Sequence, residues 1–311
     1  MGTGSGFGKV ILFNEHFVIY NIPSIVSAIA QATTATVEPS EGEGWRMDDR
    51  RQATPGYKEE KLEQQLESIE RILKAAGVDS KKNQIKITLG GDLVAASGIG
   101  ASAASCVAIA RALSDEFGLN LLDERINEIA YEGERAYHGT PSGVDNTAAT
   151  YGGLIWFVRG KPNVIERIEV KEPIEIVMGN TGIVANTVAA VAGVRERKEK
   201  NPEKYDKLFK AAEELVLDAR RALENFDLKE VGRLMGENHR LLQGIEISCK
   251  ELDFLVELAR EQGAFGAKLT GGGLGGNMVA LTPGKDLQER VARAMEKEGF
   301  KVLRTKIGVV S

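Results

Sequence analysis

Residues that usually mark secreted, metal-binding or nucleic-acid-binding proteins are scarce in this sequence. Its 311 residues include two cysteines and three histidines, and none of these form the closely spaced pairs of a zinc or redox motif. Because Cys106 and Cys249 lie far apart in the chain, we expect no disulfide framework and a reducing, cytoplasmic location. The 40 basic residues against 45 acidic ones give a net charge of -5, which argues against a nucleic-acid partner.

The sequence also lacks a segment typical of membrane insertion or export. The uncharged stretch 93–110 is long enough to be considered as a membrane span, but it consists largely of alanine, serine and glycine. Near the N-terminus, Lys9 is followed by the short apolar run 10–13 before Glu15, which is too short for a signal peptide. We therefore expect a protein without a membrane partner.

Hydrophobic spacing predicts a mixture of helices and strands. Leu62, Leu66, Ile69 and Leu73 recur at helical spacing, which predicts a helix that ends at Gly77. Strands and helices do not alternate strictly, as they would in a doubly wound sheet, so we predict an α+β fold with two domains, 1–160 and 161–311. The other predicted elements are strands at 10–13, 22–37, 85–89 and 154–158, helices at 101–117 and 122–138 with Asp123 capping the second, a polar surface loop at 41–52, and a mostly helical segment 188–298 with strands near 265–270 and 278–281.

Glycine is the residue type in excess, with 35 of 311 residues against a usual share of ~7%. One glycine segment, Ser97 to Ala104, lies between a predicted strand and a predicted helix. Backbone N–H groups and the helix dipole favour anion binding at such a position, and a close-packed turn of small residues is the alternative. The segment also fits the GxGxxA fingerprint of dinucleotide-binding proteins, whereas a Walker GxxxxGK[ST] motif is absent.

A second glycine segment, Lys268 to Gly276, has five glycines in the six positions 271–276. Each glycine in an ordered segment carries a cost in backbone entropy. We therefore interpret these glycines as a ligand-contacting loop or a flexible hairpin, and not as packing residues. Two glycine-rich loops without a Walker motif favour a nucleotide or diphosphate ligand.

Ionisable residues cluster in two further places. Glu134 lies on the edge of the apolar face of a predicted helix, and Asp145 follows a Pro-Ser-Gly turn shortly after that helix. One carboxylate could hold Mg²⁺ while the other faces a substrate hydroxyl, but a solvent-facing Glu134 and a turn- or helix-capping Asp145 also fit the sequence. Lys9, Glu15 and His16 place three ionisable groups around one short hydrophobic strand that we expect to be buried. The surface ends of an edge strand would explain the same positions equally well.

Taken in chain order, these segments resemble the GHMP kinases, a superfamily that includes galactokinases, homoserine kinases, mevalonate kinases and phosphomevalonate kinases. The resemblance spans nearly the whole chain, and within the superfamily the segments 8–20 and 133–146 are most similar to mevalonate kinases. It rests on Gly8-Lys9 with Glu15-His16, the Gly98 loop, Pro-Ser-Gly-Val-Asp145 and Lys268-Leu-Thr-Gly-Gly-Gly.

The resemblance implies an ATP-dependent kinase that phosphorylates mevalonate. It implies a two-domain α+β cleft, in which the N-terminal half resembles ribosomal protein S5 domain 2 and the C-terminal half is ferredoxin-like. Asp145 and Lys9 are implied to be catalytic, and Ser102 and Glu134 are implied to hold Mg²⁺. Mevalonate is implied to contact Lys9, Glu15, His16 and Asp145. ATP is implied to bind at Ala96, Ser97, Gly98, Ile99, Gly100, Ala101, Ser102, Ala103 and Gly272.

Several positions depart from the usual family pattern. Asn14 stands where the family commonly has a glycine before Glu-His, and Leu274 and Asn277 replace a glycine and a cysteine in the last motif. In the phosphate loop, Ala101 replaces the first of two serines. The loss of this hydroxyl is expected to affect nucleotide affinity, whereas Ser102 retains the implied metal ligand.

The sequence leaves other functions open. The same chemistry could act on phosphomevalonate, galactose or homoserine, and the oligomeric state is not determined, with a homodimer among the options. A dinucleotide-binding oxidoreductase would use the GxGxxA loop but would leave Lys9 and Asp145 without a role. A catalytically silent homologue is expected to lack Lys9, Ser102, Glu134 or Asp145, and all four are present.

Overall fold

The computed structural model describes residues 1–53, 56–79, 81–95 and 98–310, and contacts divide the chain into two compact units. Unit 1 comprises residues 1–9 and 28–152, and unit 2 comprises residues 10–27 together with the chain from residue 153 onward. A domain boundary near residue 160 stays a prediction. The compact units divide the chain differently, because residues 10–27 belong with the C-terminal part.

Unit 1 combines a small sheet with three long helices. Strand β4 pairs antiparallel with β2 and parallel with β3, and β1 pairs with β2. Helices α2, α3 and α4 pack against one another. The elements are β1 (Gly2–Phe13), β2 (Ser24–Pro39), β3 (Trp45–Asp49), α1 (Tyr57–Glu60), α2 (Leu62–Ala76), β4 (Ile85–Gly91), α3 (Ala101–Glu116), α4 (Asp123–His138) and α5 (Val144–Tyr151), of which β1 and β2 begin in one unit and end in the other.

The close approach of β1 to α3 explains much of the small-residue content. A Cβ atom on Gly2, Gly4 or Gly6 would lie 2.3 Å from a backbone carbonyl oxygen of α3. The three oxygens belong to Ala112, Ala108 and Ala104, so the two-residue repeat of the strand matches the four-residue repeat of the helix. Small residues are therefore needed on both sides of this contact, because β1 packs directly on the backbone of α3.

Helix α2 follows the predicted hydrophobic spacing only in part. It ends at Gly77, which has a φ of 75° and caps the helix as predicted. Ile69 and Leu73 are buried, but Leu62 and Leu66 are exposed even though they share the predicted apolar face. Leu62 and Leu66 therefore do not contribute to the core.

Two local predictions in unit 1 are wrong. The polar segment 41–52, predicted as a surface loop, contains β3, which pairs with only one neighbouring strand and can therefore carry charged residues. Asp123 is not the cap of α4, because the capping position is Leu122 and no side chain caps this helix. The Asp123 carboxylate instead accepts a hydrogen bond from Arg111, at 2.7 Å.

Unit 2 is built on an antiparallel sheet with the strand order β10-β7-β9-β8, and β5 pairs with β6 and with the start of β2. Helices α8 and α9 contact β8, and α10 contacts β7 and β10. The mixture of helices and strands in both units confirms the α+β class. The elements are β5 (Leu154–Val158), β6 (Val164–Ile168), β7 (Ile174–Asn180), α6 (Thr187–Lys200), α7 (Pro202–Glu224), α8 (Leu228–Gly244), α9 (Lys250–Glu261), β8 (Gly266–Thr270), β9 (Asn277–Leu281), α10 (Lys285–Lys297) and β10 (Lys301–Ile307).

The core of unit 2 lies between this sheet and its helices. It contains Phe17, whose ring packs edge to face on Phe209 of α7 with the ring centroids 5.1 Å apart. Residues 17–20 form a short 3-10 turn directly after β1, so the segment 10–27 contributes to this core. In the described part of the chain, no helix has the length and apolarity needed to span a bilayer. Both cysteines are free thiols.

Candidate active site

The predicted phosphate loop leads directly into helix α3. Gly98 and Gly100 have left-handed φ angles of 75° and 78°, and Gly100 occupies the position before the first helical residue, Ala101. The first N–H groups of a helix lack partners within it, so this helix start is suited to bind an anion. Ser102 is half-buried and Ala103 is buried in the first turn. The predicted nucleotide-binding residues Ala96 and Ser97 lie outside the described residues.

Lys9 lies against this loop and pairs with Asp145. The Lys9 backbone N–H donates to the Ile99 carbonyl at 2.8 Å, and a Cβ on Gly100 would lie 2.7 Å from the Lys9 Cγ. The Lys9 ammonium lies 2.9 Å from the Asp145 carboxylate. The Lys9 side chain is 8% exposed and that of Asp145 is 33% exposed, so the aspartate is the accessible partner of the pair.

Asp145 is held in the first turn of α5 rather than at its cap. The capping position is Gly143, whose φ of 87° is left-handed and which has no side chain. The alternative prediction that Asp145 caps the helix is therefore wrong. The carboxylate instead faces Lys9, as an ion pair between two elements that are far apart in sequence.

Glu134 is the most deeply buried carboxylate of unit 1 that the sequence singled out. Its side chain is 1% exposed, and within the described residues its Oε1 atom has no hydrogen-bond partner. Burial, followed by the nearby charge of Asp145, raises the pKa of Glu134 to about 8, although a hydrogen bond with Ser102 and the charge of Lys9 oppose this rise. The alternative of a solvent-facing Glu134 is wrong.

In unit 2, Glu15 forms an ion pair with Lys268 of β8. Both side chains are almost fully buried, with exposed fractions of 1% for Glu15 and 0% for Lys268. Burial lowers the pKa of the Lys268 ammonium, and the Glu15 carboxylate opposes that change. The surface-end alternative for Glu15 is therefore wrong.

His16 binds the second glycine loop. Its Nε2 atom lies 2.8 Å from the carbonyl oxygen of Gly272. Because a carbonyl can only accept, Nε2 must carry the proton and donate it, which makes Nδ1 an acceptor in the neutral ring. In the described residues Nδ1 has no hydrogen-bond partner, and burial lowers the pKa of this histidine. His16 thus presents a buried acceptor atom that a ligand hydroxyl could satisfy.

Asn14 explains why this turn tolerates a residue other than glycine. Its φ of 69° is left-handed, a conformation that asparagine adopts more readily than most residues. Its side chain is fully buried and donates to the carbonyl oxygens of Pro23 and Ala212, at 2.8 and 3.0 Å. The Asn14 Oδ1 accepts a third hydrogen bond from Asn238 of α8, at 3.0 Å. Asn14 therefore fixes the turn that carries Glu15 and His16.

The glycines of the loop 271–276 do pack closely, so the expectation that they have no packing role is wrong. A Cβ on Gly272 would lie 2.4 Å from the Thr187 hydroxyl, and one on Gly273 would lie 2.3 Å from the Ile247 carbonyl. On Gly275 it would lie 2.8 Å from Ile183. Leu274 has a left-handed φ of 55° at the position where the family commonly has glycine. The entropy cost of these glycines is accepted because the neighbouring segments leave no space for a side chain.

The structure brings the predicted residues into two sets. Lys9, the loop from residue 98, Ser102, Glu134 and Asp145 form one set in unit 1. Glu15, His16 and Gly272 form the other in unit 2. Sequence reasoning missed the roles of Lys268 and Asn238, because neither a buried lysine nor a buried amide pair has a local signature. The one sequence signal for Lys268 is its place at the start of the segment Lys268-Leu-Thr-Gly-Gly-Gly.

Comparison with known proteins agrees with these motifs. Residues 65–153 match the GHMP kinases N terminal domain, and residues 219–301 match the GHMP kinases C terminal region. The mevalonate kinase of Thermococcus sibiricus is 34% identical over 96% of this chain and 94% of its own length. The chain belongs to the GHMP kinase family. The mevalonate kinase of Pyrococcus horikoshii is also 34% identical to this GHMP kinase, over 94% of this chain and 91% of its own.

A solved structure extends this similarity to the fold. The crystal structure of L. major mevalonate kinase in complex with R-mevalonate is 40% identical to this GHMP kinase and superposes with a TM-score of 0.93. The match covers 99% of this chain and 96% of the other. Membership of a kinase family confirms the predicted enzyme class and decides against the oxidoreductase that the GxGxxA loop alone suggested.

Proposed function

We propose that this GHMP kinase transfers the γ-phosphoryl group of ATP to the primary hydroxyl of mevalonate, giving 5-phosphomevalonate for isoprenoid biosynthesis. The observation that carries the proposal is the similarity over nearly the full chain to mevalonate kinases, at 40% identity to the L. major enzyme. Lys9, Ser102, Glu134 and Asp145, which a catalytically silent homologue is expected to lack, are all present.

The nucleotide phosphates are proposed to bind at the loop from Ala96 to Ala103, with Gly272 as a further nucleotide contact. Support comes from the left-handed glycines Gly98 and Gly100 and from the helix start at Ala101, because the first N–H groups of a helix have no partner within it. Ala101 is buried and offers only its backbone, so phosphate recognition here would rely on N–H groups and on Ser102.

Ser102 and Glu134 are proposed to hold Mg²⁺. Glu134 fits a cation because its Oε1 lacks a partner among the described residues and because burial disfavours its ionised form without a counter-charge. In the described residues no cluster of three or more His, Cys, Asp or Glu side chains forms a closed metal site. That is consistent with Mg²⁺, which commonly takes one or two protein oxygens and completes its shell with waters and phosphates. When bound, Mg²⁺ would neutralise charge on the transferring phosphates.

Asp145 is proposed to accept the proton of the mevalonate hydroxyl, and Lys9 to stabilise the negative charge that develops on that oxygen. The 2.9 Å ion pair supports a joint role, since one substrate oxygen could contact both groups. The greater exposure of the Asp145 side chain supports its role as the partner that meets the substrate.

Glu15 and His16 are proposed to bind mevalonate. Among the described residues the Nδ1 atom of His16 has no partner, and this supports a contact to a substrate hydroxyl, because Nδ1 can only accept while the neutral ring carries its proton on Nε2. Glu15 is held by Lys268, so its contribution would be a carboxylate of fixed orientation.

An acceptor screen tests the proposal. Purified protein with MgATP is assayed for ADP release against mevalonate, phosphomevalonate, galactose and homoserine, with EDTA as the control for Mg²⁺. We expect turnover to be fastest with mevalonate and to be lost with EDTA. Faster turnover of another acceptor would reassign the substrate within the family, and the absence of ADP with every acceptor would favour a catalytically silent homologue. A cytoplasmic location and a homodimer remain predictions, and light scattering would test the second.

A further inference from the structure

A short segment after β3 runs beside Ala95, which lies between the end of β4 and the phosphate loop. The Gln52 carbonyl accepts the N–H of Ala95 at 2.8 Å, and Ala53 forms a parallel bridge with Ala95. Ala95 is the last described residue before the loop, which reaches α3 at residue 101. The backbone of residues 52–53 therefore holds the strand side of the loop.

The side chain of Arg51, in the same segment, is locked on Asp49. Its Nε donates to Asp49 Oδ1 at 2.9 Å and its Nη2 donates to Oδ2 at 2.6 Å, which is a bidentate pair. The side chains are 4% and 6% exposed. Asp49 also accepts from Gln65 of α2, at 3.0 Å. The carboxylate therefore fixes both the position and the plane of the guanidinium group.

The remaining nitrogen of Arg51 reaches the first turn of α3. Nη1 donates to the Ser105 hydroxyl and lies 3.5 Å from the Ala101 carbonyl oxygen. Ser105 in turn donates to that same carbonyl at 2.7 Å. Residues 51–53 thus hold the strand side of the phosphate loop through their backbone and the helix side through one guanidinium group.

We propose that Arg51 is a positioning residue that sets the start of α3 relative to the strand before the phosphate loop, and so controls nucleotide affinity. The inference rests on the nucleotide site of the proposed function. A shift of the first turn of α3 would move Ser102 away from Glu134 and would move the N–H groups that are proposed to bind phosphate. Among the described residues, the side-chain hydrogen bonds of Arg51 go to Asp49, to Ser105 and to the Ala101 carbonyl, and not to Ser102 or Glu134.

A purely structural role is the alternative, and it has a different signature. Buried ion pairs contribute little net stability compared with well-packed apolar groups, although the loss of one partner is costly. A structural role would lower the melting temperature and leave the substrate affinities of the folded protein unchanged. A positioning role changes nucleotide affinity in the protein that remains folded.

Arg51→Met and Arg50→Met form a matched pair for the test. Arg50 is the neighbouring residue, and its ion pair with Asp48 is exposed. Binding of MgADP is measured by calorimetry without any acceptor, and KM is measured separately for ATP and mevalonate. We expect Arg51→Met to weaken MgADP binding and raise the KM for ATP by about 10–100-fold, the range seen when outer partners of a site are removed. The KM for mevalonate and all constants of Arg50→Met should stay within about two-fold.

Ser105→Ala keeps the test valid if Arg51→Met fails to fold. This substitution removes the hydroxyl acceptor on α3 but keeps the Ala101 carbonyl and the Asp49 pair, so we expect a smaller loss of MgADP affinity in the same direction. Arg51→Lys should recover part of the affinity, because one ammonium group can reach only some of the partners. Unchanged MgADP affinity in folded Arg51→Met or in Ser105→Ala would overturn the inference. Wild-type protein that binds MgADP but does not phosphorylate mevalonate would overturn only the proposed substrate.

Discussion

Two buried glutamates, Glu134 of unit 1 and Glu15 of unit 2, differ in what neutralises their charge. Glu15 pairs with a lysine that is itself fully buried. Among the described residues, no lysine or arginine lies within ion-pair distance of Glu134, and its pKa is raised to about 8. Both side chains are equally exposed, at 1%.

This difference separates a buried charge that the protein itself compensates from one that it does not. A carboxylate with a buried protein cation is already compensated, so its loss chiefly affects folding. A carboxylate without one is better served by a cation that arrives with a ligand, which is typical of a metal or catalytic site. We therefore expect substitutions around Glu134 to alter turnover and substitutions around Glu15 to alter stability as well.

The largest effect is expected at Asp145, the accessible carboxylate near Glu134. Asp145→Asn removes the proposed proton acceptor while keeping the shape, so kcat should fall by about 10²–10⁴-fold and the KM for mevalonate should change only a few-fold. Steady-state kinetics at saturating ATP measure this. Lys9→Met should also lower kcat, and the double variant should be little worse than the poorer single one if both act on one proton transfer.

Asp123→Asn is the control for Asp145→Asn, because Asp123 also lies in the first turn of a helix and pairs with a basic residue, Arg111. It should retain normal kcat. A normal kcat in folded Asp145→Asn would mean that the Lys9 pair is structural, and the contrast between the two units would then disappear.

The second largest effect is expected at the buried ion pair between Lys268 and Glu15 in unit 2. Lys268→Met leaves Glu15 buried without its cation, so the free energy of unfolding should fall by about 3–5 kcal/mol. Adding Glu15→Gln should restore much of that loss, because the uncompensated charge is removed. Urea unfolding measures both variants. Lys306→Met, which breaks a partly exposed ion pair with Glu175, should cost less than about 1 kcal/mol.

Substitutions at the neighbouring positions 101 and 102 test which of them binds Mg²⁺. Ser102→Ala removes a proposed Mg²⁺ ligand that interacts with Glu134, and we expect about a 10–100-fold loss of Mg²⁺-dependent turnover. Ala101→Ser should have a mild effect, because residue 101 is proposed to contribute only its backbone. Titration of turnover with Mg²⁺ measures both, and the reverse ranking would exclude Ser102 as the ligand.

His239 of α8 predicts a pH effect on stability in unit 2. It is 5% exposed, and burial lowers its pKa to about 4, against the opposing charge of Asp253. The His239 imidazole therefore binds a proton near pH 6.5 in the unfolded chain but only near pH 4 in the folded chain. Stability should fall by about 1–3 kcal/mol as the pH drops through this interval. Urea unfolding at pH 7 and pH 5 measures this dependence, which should be weaker in His239→Gln.

The smallest effect is expected at Leu274. Its left-handed φ of 55° is strained for leucine, and its side chain is 44% exposed and therefore contributes little to the core. Leu274→Gly should raise the free energy of unfolding by up to about 1 kcal/mol. Leu217→Gly is the control, because Leu217 has a similar exposure of 47% but lies within helix α7. That substitution should lower the free energy of unfolding by about 1 kcal/mol.

Much of the fold could be predicted locally, where spacing and turn chemistry act within a few residues. Helix α2 with its Gly77 cap and strand β5 follow directly from such patterns. Strand β3 could not be predicted, because an edge strand needs few apolar residues and its pairing with β4 is a tertiary contact. The same reason applies to the turn 14–16, whose conformation depends on Asn238, more than two hundred residues away.

The family, the motif residues and the secondary structure of the strongly periodic segments can be read from the sequence, since these are properties of residue type and order. The charge state and the contacts of those residues depend on the folded chain. Burial and long-range partners placed Glu134 beyond ion-pair distance of any lysine or arginine among the described residues, paired Lys268 with Glu15, and brought Arg51 to the start of α3. The energy of a charge depends on the solvent and the atoms around it, and the folded chain alone supplies both.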